Sequence, residues 1–163
     1  MRIFTGQHER SIDAKNRLTL PTQLRAALGA DREGSGVYIT LGEHRGTLSV
    51  FTEQGYKALA SRSGTEFTPG PESRSFELQY YSVTEYVELD KQGRIILPGR
   101  LRRKAKLCDE ALLVGQKNRF DIWNRAEFEK VLGIDWESDD WPDWQGFLRM
   151  KPGQAEQAEQ AGQ

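Results

Sequence analysis

The chain has 163 residues, of which 37% are hydrophobic and 29% are charged, a composition typical of a soluble protein that can bury a core. Its formal net charge of −1 excludes the global basicity of a protein that coats nucleic acid without specificity, so any DNA-binding surface must be local. No apolar run could span a membrane, the start of the chain has no secretory signal and the single Cys108 cannot form an internal disulfide, so we expect a cytoplasmic protein.

A twelve-residue segment occurs twice in the chain. Residues 13–24 (DAKNRLTLPTQL) return as residues 90–101 (DKQGRIILPGRL), at a constant offset of 77 positions, from 13 to 90. Both copies open with an aspartate, carry an arginine four positions later and continue with Leu-Pro-x-x-Leu-Arg. Self-similarity at a fixed offset indicates a duplicated structural unit, and two copies predict one body with pseudo-twofold symmetry.

The first copy predicts a strand, a loop, a second strand and a helix. Residues 14–16 form the loop, and the alternation of polar and apolar side chains over residues 17–20 is typical of a half-buried strand. Pro21 suits the first turn of a helix, because its missing N–H has no intrahelical partner there. Gly29 is a natural residue to end that helix.

The second copy predicts the same order, with a loop at residues 91–93, a strand at 94–97 and a helix that begins after Pro98. Asn16 and Gly93 occupy the same position in the two loops. Asn and Gly are the residues that most readily adopt positive φ, so we expect a left-handed residue just before each arginine.

The duplication extends beyond the motif. Residues 48–59 resemble residues 120–132, each with a short strand, an aromatic residue and a helix. Asn124 followed by Glu127 predicts a capping box at the start of the later helix. Its spacing predicts a buried stripe formed by Phe128, Val131 and Leu132.

The composition divides the rest of the chain. A Gly- and Pro-rich segment indicates a connector between the repeats, and a low-complexity segment at the end indicates a disordered tail. Between the second repeat and the tail lies an acidic segment that carries Trp136, Trp141 and Trp144. We expect their rings to pack on the body or on a neighbouring subunit. The predicted organisation is a first repeat at 1–60, a connector at 61–75, a second repeat at 76–133, an acidic Trp-rich extension at 134–150 and a disordered tail at 151–163.

Each loop presents cations that could contact phosphates or guanine edges in the major groove of DNA. The candidate DNA-binding residues are Lys15, Asn16, Arg17, Lys91, Gln92, Arg94, Arg102 and Arg103. The candidate loop-ordering residues are Asp13, Asp90 and Gly93. In a purely structural alternative, each arginine pairs back onto its aspartate. The two matching copies favour the functional interpretation, in which the aspartate orders the turn and the Lys and Arg side chains point outward.

Residues 100–106, with five basic residues in seven, predict either a DNA contact or a solvated helix face.

The paired Asp-x-x-x-Arg loops, their Leu-Pro-x-x-Leu-Arg continuations and residues 113–123 (LVGQKNRFDIW) resemble the MraZ family of bacterial regulators, within the wider AbrB-like (SpoVT-AbrB) group. The resemblance covers about residues 4–132. It implies an α+β fold of duplicated AbrB-like swapped-hairpin β-barrel units with short helices, related by a pseudo-twofold within one chain. It also implies ring-shaped homo-oligomers that bind double-stranded DNA at repeated operator sites. The regulated genes would be the division and cell-wall cluster, including the protein's own gene, usually under repression. The first loop departs from the family pattern, because Asn16 stands where Gly is commoner, and this could change base preference.

An AbrB-type antitoxin that neutralises a toxin and binds its own promoter is the alternative, although the duplicated body argues against it. We expect no enzyme, because His8 and His44 stand alone without metal-ligand or triad spacing, and the motif aspartates are followed by cations. We therefore predict no cofactor, no metal, no small-molecule substrate and no membrane partner.

Overall fold

The computed structural model describes residues 3–29, 35–62, 71–134, 137–142 and 144–149. The chain forms two compact units, Met1–Val131 and Leu132–Gln163, and both copies of the motif lie in the first. Within the described ranges, no helix is long and apolar enough to cross a membrane.

The two halves of the first unit contain the same elements in the same order. The first half consists of β1 (Gln7–Ser11), β2 (Arg17–Thr19), α1 (Thr22–Leu28), β3 (Gly36–Leu41), β4 (Thr47–Thr52) and α2 (Glu53–Ser61). Helix α3 (Pro71–Val83) joins the halves. The second half consists of β5 (Glu85–Glu88), β6 (Arg94–Ile96), α4 (Gly99–Lys104), β7 (Glu110–Gln116), β8 (Arg119–Trp123) and α5 (Arg125–Leu132), and α6 (Gln145–Arg149) lies in the second unit. The predicted duplicated α+β fold is confirmed.

The strands exchange partners between the halves. A six-stranded sheet has the order β1-β7-β8-β4-β3-β5, so β1 pairs with a strand of the second half and β5 with a strand of the first. Strands β2 and β6 form a separate antiparallel ribbon. Each motif therefore folds against the other half of the chain, as the swapped-hairpin expectation requires.

A pseudo-twofold axis passes through both sheets. In the ribbon Leu18 pairs with Ile95, its own equivalent in the other copy. In the large sheet Ser49 pairs with Asp121, again its equivalent, and the Ser49 hydroxyl donates to the buried Asp121 carboxylate over 2.7 Å. Because equivalent residues face each other at both places, the two motifs lie symmetrically about one line.

The ribbon is held to the body by its inward side chains. Leu18, Leu20, Ile95 and Leu97 are each at most 1% exposed, which confirms the predicted alternation. Burying a side chain of this size stabilises the fold by about 1.5–3 kcal/mol. The inward residues thus fix which face of the ribbon points to solvent.

Local signals in the motif are also confirmed. Pro21 immediately precedes α1, and Gly29 ends it in the left-handed conformation, with φ 68°. The two loop residues that the sequence singles out, Asn16 and Gly93, have φ 61° and 72°. The two loops therefore share one backbone geometry despite their different side chains.

Helix α5 agrees with its predicted cap only in part. The Asn124 side chain accepts a hydrogen bond from the Glu127 backbone, but the Asn124 N–H donates to the Gly46 carbonyl, so the reciprocal half of a capping box is absent. Phe128 is buried, whereas Val131 is 50% exposed. The predicted stripe is therefore wrong at Val131, and Leu132 at the end of the helix is only partly buried.

The predicted connector at residues 61–75 overlaps helix α3, which begins at Pro71. Proline is favourable at the start of a helix as well as in connectors, so composition alone did not separate the two. The rings of Tyr80 and Tyr81 lie 6.5 Å and 6.2 Å from the ring of Tyr56, measured between centroids. Desolvation in this cluster raises the pKa of Tyr80 to about 12. These ring contacts pack helix α3 against α2.

Two tryptophans of the second unit are exposed. Trp141 is 86% exposed and Trp144 is 54% exposed, so neither ring is buried in the single chain, and their packing on a neighbouring subunit stays a prediction. Trp136 and the predicted disordered tail lie outside the described residues.

Candidate nucleic-acid interface

The first Asp-x-x-x-Arg loop is a closed turn around one carboxylate. The backbone N–H groups of Lys15 and Arg17 both donate to Oδ1 of Asp13 over 2.9 Å, and the Arg17 Nε donates to Oδ2 over 2.6 Å. The Asn16 N–H donates to the Asp13 carbonyl over 3.0 Å. The aspartate therefore orders the turn through its side chain and its backbone.

The second loop reproduces this arrangement. The N–H groups of Gln92 and Arg94 donate to Oδ1 of Asp90 over 2.8 and 2.9 Å, and the Arg94 Nε donates to Oδ2 over 2.7 Å. The Gly93 N–H donates to the Asp90 carbonyl over 2.9 Å. Agreement to within 0.1 Å, as between 2.6 and 2.7 Å for the Nε bonds, shows that the duplication extends to side-chain contacts.

Both carboxylates are held in the ionised form. The hydrogen bond from the Arg17 backbone is the largest cause that lowers the pKa of Asp13, and desolvation opposes it. Desolvation is the largest single influence on Asp90, but the hydrogen bonds from the Arg94 backbone and side chain lower the pKa of this group overall. An ionised carboxylate accepts all of these bonds at once, so neutral pH favours the ordered loops.

The motif arginines combine the two predicted arrangements. The Nε of each guanidinium pairs back onto its aspartate, while the side chains of Arg17 and Arg94 stay 34% and 27% exposed. Among the described residues, the guanidinium of each motif arginine donates hydrogen bonds to protein through its Nε. The Nη hydrogens of each guanidinium therefore stay available to a ligand. A guanidinium fixed at one edge can still donate two parallel bonds to a phosphate or to a guanine edge.

The ribbon brings the two arginines together on one face. Arg17 lies opposite Ile96, and Arg94 lies opposite Thr19, so the two arginines are diagonal neighbours about the pseudo-twofold axis. Diagonal neighbours in an antiparallel pair are about 7–8 Å apart between Cα atoms. A two-stranded ribbon fits the major groove of B-DNA, which is about 12 Å wide. Both arginines could therefore enter one groove.

The other predicted loop residues lie at the two ends of the ribbon. Lys15, Lys91 and Gln92 are exposed at the loop tips. Lys15 and Gln92 are equivalent positions of the two copies, whereas Lys91 has no cationic equivalent in the first loop. The structure thus separates a central arginine pair from two outer loop tips, each of which carries one lysine, at a different position of the loop.

Arg102 was predicted to contact DNA, but its guanidinium points into the protein. Its Nη1 donates to the Asn16 side chain over 2.7 Å and to the Asp13 carbonyl over 3.2 Å. Its other nitrogens donate to the carbonyls of Leu107, over 3.1 Å, and Cys108, over 2.6 Å. Its side chain is 16% exposed. Arg102 therefore acts as a clamp that joins α4 to the first loop.

Arg25 is the equivalent of Arg102 in the first copy, and it covers the second loop. A Cβ added at Gly93 would lie 2.5 Å from the Arg25 Cδ, so the absence of a side chain there makes room for Arg25. At the first loop Asn16 instead offers an oxygen to Arg102. The equivalence of these two helix arginines is visible in the repeat, and it is the signal that could have identified Arg102 as loop-ordering. Arg103 is exposed on α4, and its DNA contact stays a prediction.

No cluster of three or more His, Cys, Asp or Glu side chains arranged to hold a metal ion occurs in the part of the chain that the structure describes.

Comparison with known proteins agrees with this architecture. The family described as "MraZ protein, putative antitoxin-like" matches residues 3–74 and 81–140, which include both motifs. A transcriptional regulator MraZ from Maridesulfovibrio salexigens is 35% identical over 134 residues, covering 82% of this chain and 89% of the relative. Proteins of the same name from Roseiflexus castenholzii (34% identical, covering 80% and 87%) and Desulfitobacterium hafniense (36%, covering 76% and 82%) are similar. The chain therefore belongs to the MraZ family.

Proposed function

We propose that this protein is a transcription regulator that binds double-stranded DNA through the β2–β6 ribbon and its two loops. The observation that carries the proposal is the pair of motif arginines, Arg17 and Arg94, related by the pseudo-twofold axis on one exposed face. Duplex DNA offers a matching twofold, and cations at this spacing can contact both strands of one groove. The name shared by the relatives, transcriptional regulator, supports the same function.

The finer proposal is a repressor of the division and cell-wall gene cluster, including the protein's own gene, that acts at the nucleoid in the cytoplasm. A ring-like homo-oligomer would bind repeated operator sites. One ribbon makes few contacts, and several ribbons on evenly spaced sites would multiply affinity through their high effective concentration. Sedimentation of the protein with and without operator DNA tests the assembly. Monomers in both samples would contradict it.

A footprint on DNA upstream of the protein's own gene, combined with gel shifts over a salt series, tests the DNA-binding function. We expect short, evenly spaced protected segments and an affinity that falls steeply with salt, because Lys and Arg contacts release counterions. Binding that is absent at low salt, or that does not change with salt, would overturn the proposal.

The motif arginines give the most direct mutational test. Arg17→Ala and Arg94→Ala should each weaken operator binding about 5- to 150-fold, since loss of one base contact costs about 1–3 kcal/mol. The exposed Arg62, beyond the end of α2, provides a matched control, and Arg62→Ala should bind nearly as the wild type does. Thermal melts are recorded in parallel. Variants that lose DNA binding only in proportion to lost stability would show that the arginines are structural.

An AbrB-type antitoxin is the second candidate, and the words "antitoxin-like" in the family description favour it. An antitoxin would bind its toxin as well as its promoter. Deletion of the gene tests this, because cells that carry the toxin gene would lose viability when the antitoxin is removed. Normal growth of the deletion strain, with altered expression of the regulated genes, would favour the regulator.

A further inference from the structure

The outward face of the ribbon carries an exposed aliphatic side chain that the proposed arginine contacts do not use. Ile96 is 58% exposed, whereas its chain neighbours Ile95 and Leu97 are fully buried. No other residue of β2 or β6 has a large apolar side chain that is exposed. The inward residues already hold the ribbon to the body, so the aliphatic group of Ile96 contributes little to the fold in the single chain.

The surroundings of Ile96 indicate what it contacts. It lies directly opposite Arg17 and two residues along the same face of β6 from Arg94. A binding partner that covers Ile96 must therefore accept hydrogen bonds on both sides of an apolar patch. The major groove of DNA meets this requirement, because the C5-methyl of thymine is an apolar group that lies among phosphates and base acceptors.

The spacing also fits. Two residues along a strand span about 6.6 Å, and neighbouring base pairs are about 3.4 Å apart, so Ile96 lies about two base-pair steps from Arg94. An arginine that contacts guanine and an isoleucine two steps away would together select a short sequence with guanine and thymine at fixed separation.

The two halves of the ribbon differ at the position of Ile96, although a pseudo-twofold axis relates them. The equivalent of Ile96 in β2 is Thr19, which is exposed opposite Arg94 and carries one methyl group and a hydroxyl in place of the larger aliphatic side chain. Threonine can hydrogen-bond to several base edges and therefore discriminates less. The two halves of the ribbon thus present the same cation beside different neighbours.

We propose that Ile96 is a specificity-determining residue that packs on the C5-methyl of a thymine in the major groove, and that it makes the two halves of the operator unequal. This inference rests on the proposed DNA-binding function and goes beyond it, because it assigns a base preference to one residue. A second copy of the chain is the other possible occupant of the Ile96 face, and the experiment below distinguishes the two.

The full chain is first used to select duplexes from a random-sequence library at low salt. Each thymine of a selected duplex is then replaced in turn by uracil, which removes only the methyl group. We expect one uracil position per ribbon to lower wild-type affinity about fourfold, the value for about 0.8 kcal/mol of apolar burial. In Ile96→Ser, which leaves no methyl group on the side chain, that position should become insensitive to uracil, while the other positions behave as in the wild type.

Two further variants complete the test. Thr19→Ile should create a new uracil-sensitive position on the opposite side of the operator centre. Val131→Ser changes a similarly exposed aliphatic residue on α5 and should keep the wild-type pattern. Failure to enrich any duplex would overturn the DNA-binding function itself. Enrichment with equal uracil effects in wild type and Ile96→Ser would overturn this inference alone. A change of sedimentation in Ile96→Ser with unchanged uracil effects would also overturn it, because a second copy would then cover Ile96.

Discussion

Removal of the Arg102 clamp tests whether the first DNA-binding loop is ordered from the other half of the chain. In Arg102→Ala, the carbonyls of Asp13, Leu107 and Cys108 and the Asn16 side chain lose a charged donor at distances of 2.6–3.2 Å. Charged hydrogen bonds contribute about 1.5–3 kcal/mol each when buried. The Arg102 side chain is 16% exposed, so water can replace part of the lost bonds in the variant. We therefore expect a loss of about 3 kcal/mol in the free energy of unfolding.

The clamp variant is measured by thermal unfolding followed by circular dichroism. A loss of about 3 kcal/mol should lower the Tm by about 10 °C for a protein of this size. Arg25→Ala is the pseudo-twofold control, and it should cost only about 1 kcal/mol, because among the described residues its side chain donates one hydrogen bond, to Thr22 at 3.3 Å. Arg103→Ala, a neighbouring exposed position, should change stability by less than about 0.5 kcal/mol.

Two results distinguish the clamp from a direct phosphate contact. Arg102→Ala combined with Asn16→Gly should show a coupling energy of about 1 kcal/mol, because both variants remove the same hydrogen bond while glycine keeps the positive φ. The slope of affinity against salt should stay unchanged, whereas loss of one phosphate contact lowers it by about 1. A variant that melts like Arg103→Ala and has a reduced salt slope would refute the clamp.

Three other perturbations follow from the same geometry. Gly93→Ala should lower the free energy of unfolding by about 1–2 kcal/mol, because it places a Cβ at φ 72° and 2.5 Å from Arg25, and an unchanged Tm would contradict this. The lowered pKa values of Asp13 and Asp90 mean that their stabilisation is present above the ordinary value of 3.8 and is lost as pH falls through the lower folded values. Carboxyl chemical shifts over an acid titration measure this, and midpoints at or above 3.8 would be inconsistent with it. Leu18→Ala, on the pseudo-twofold axis, should cost about 2–5 kcal/mol in denaturant unfolding, and a loss below about 1 kcal/mol would show that the ribbon is loosely packed.

Much of the interface was predictable because its signals are local. Positive φ at Asn16 and Gly93, the aspartate-centred turns and the inward Leu18 depend on residues within a few positions of one another. The fixed offset of the repeat then extends each local inference to the second copy. The loop-ordering contacts of Arg102 were missed for the opposite reason, since a basic helix has the same composition whether its guanidinium groups face solvent or a distant loop.

The sequence by itself determined the duplication, the two left-handed loop positions and the alternation that turns the ribbon's apolar side chains inward, because these follow from backbone sterics and from the period of two in a strand. Only the tertiary structure decided the register that sets Leu18 against Ile95, the reach of Arg102 across 86 positions to Asn16 and the exposure of Ile96 beside Arg17. Two similar copies offer each strand an equivalent partner within its own repeat and in the other. The choice between these partners depends on how the whole core packs, and residue patterns do not record it.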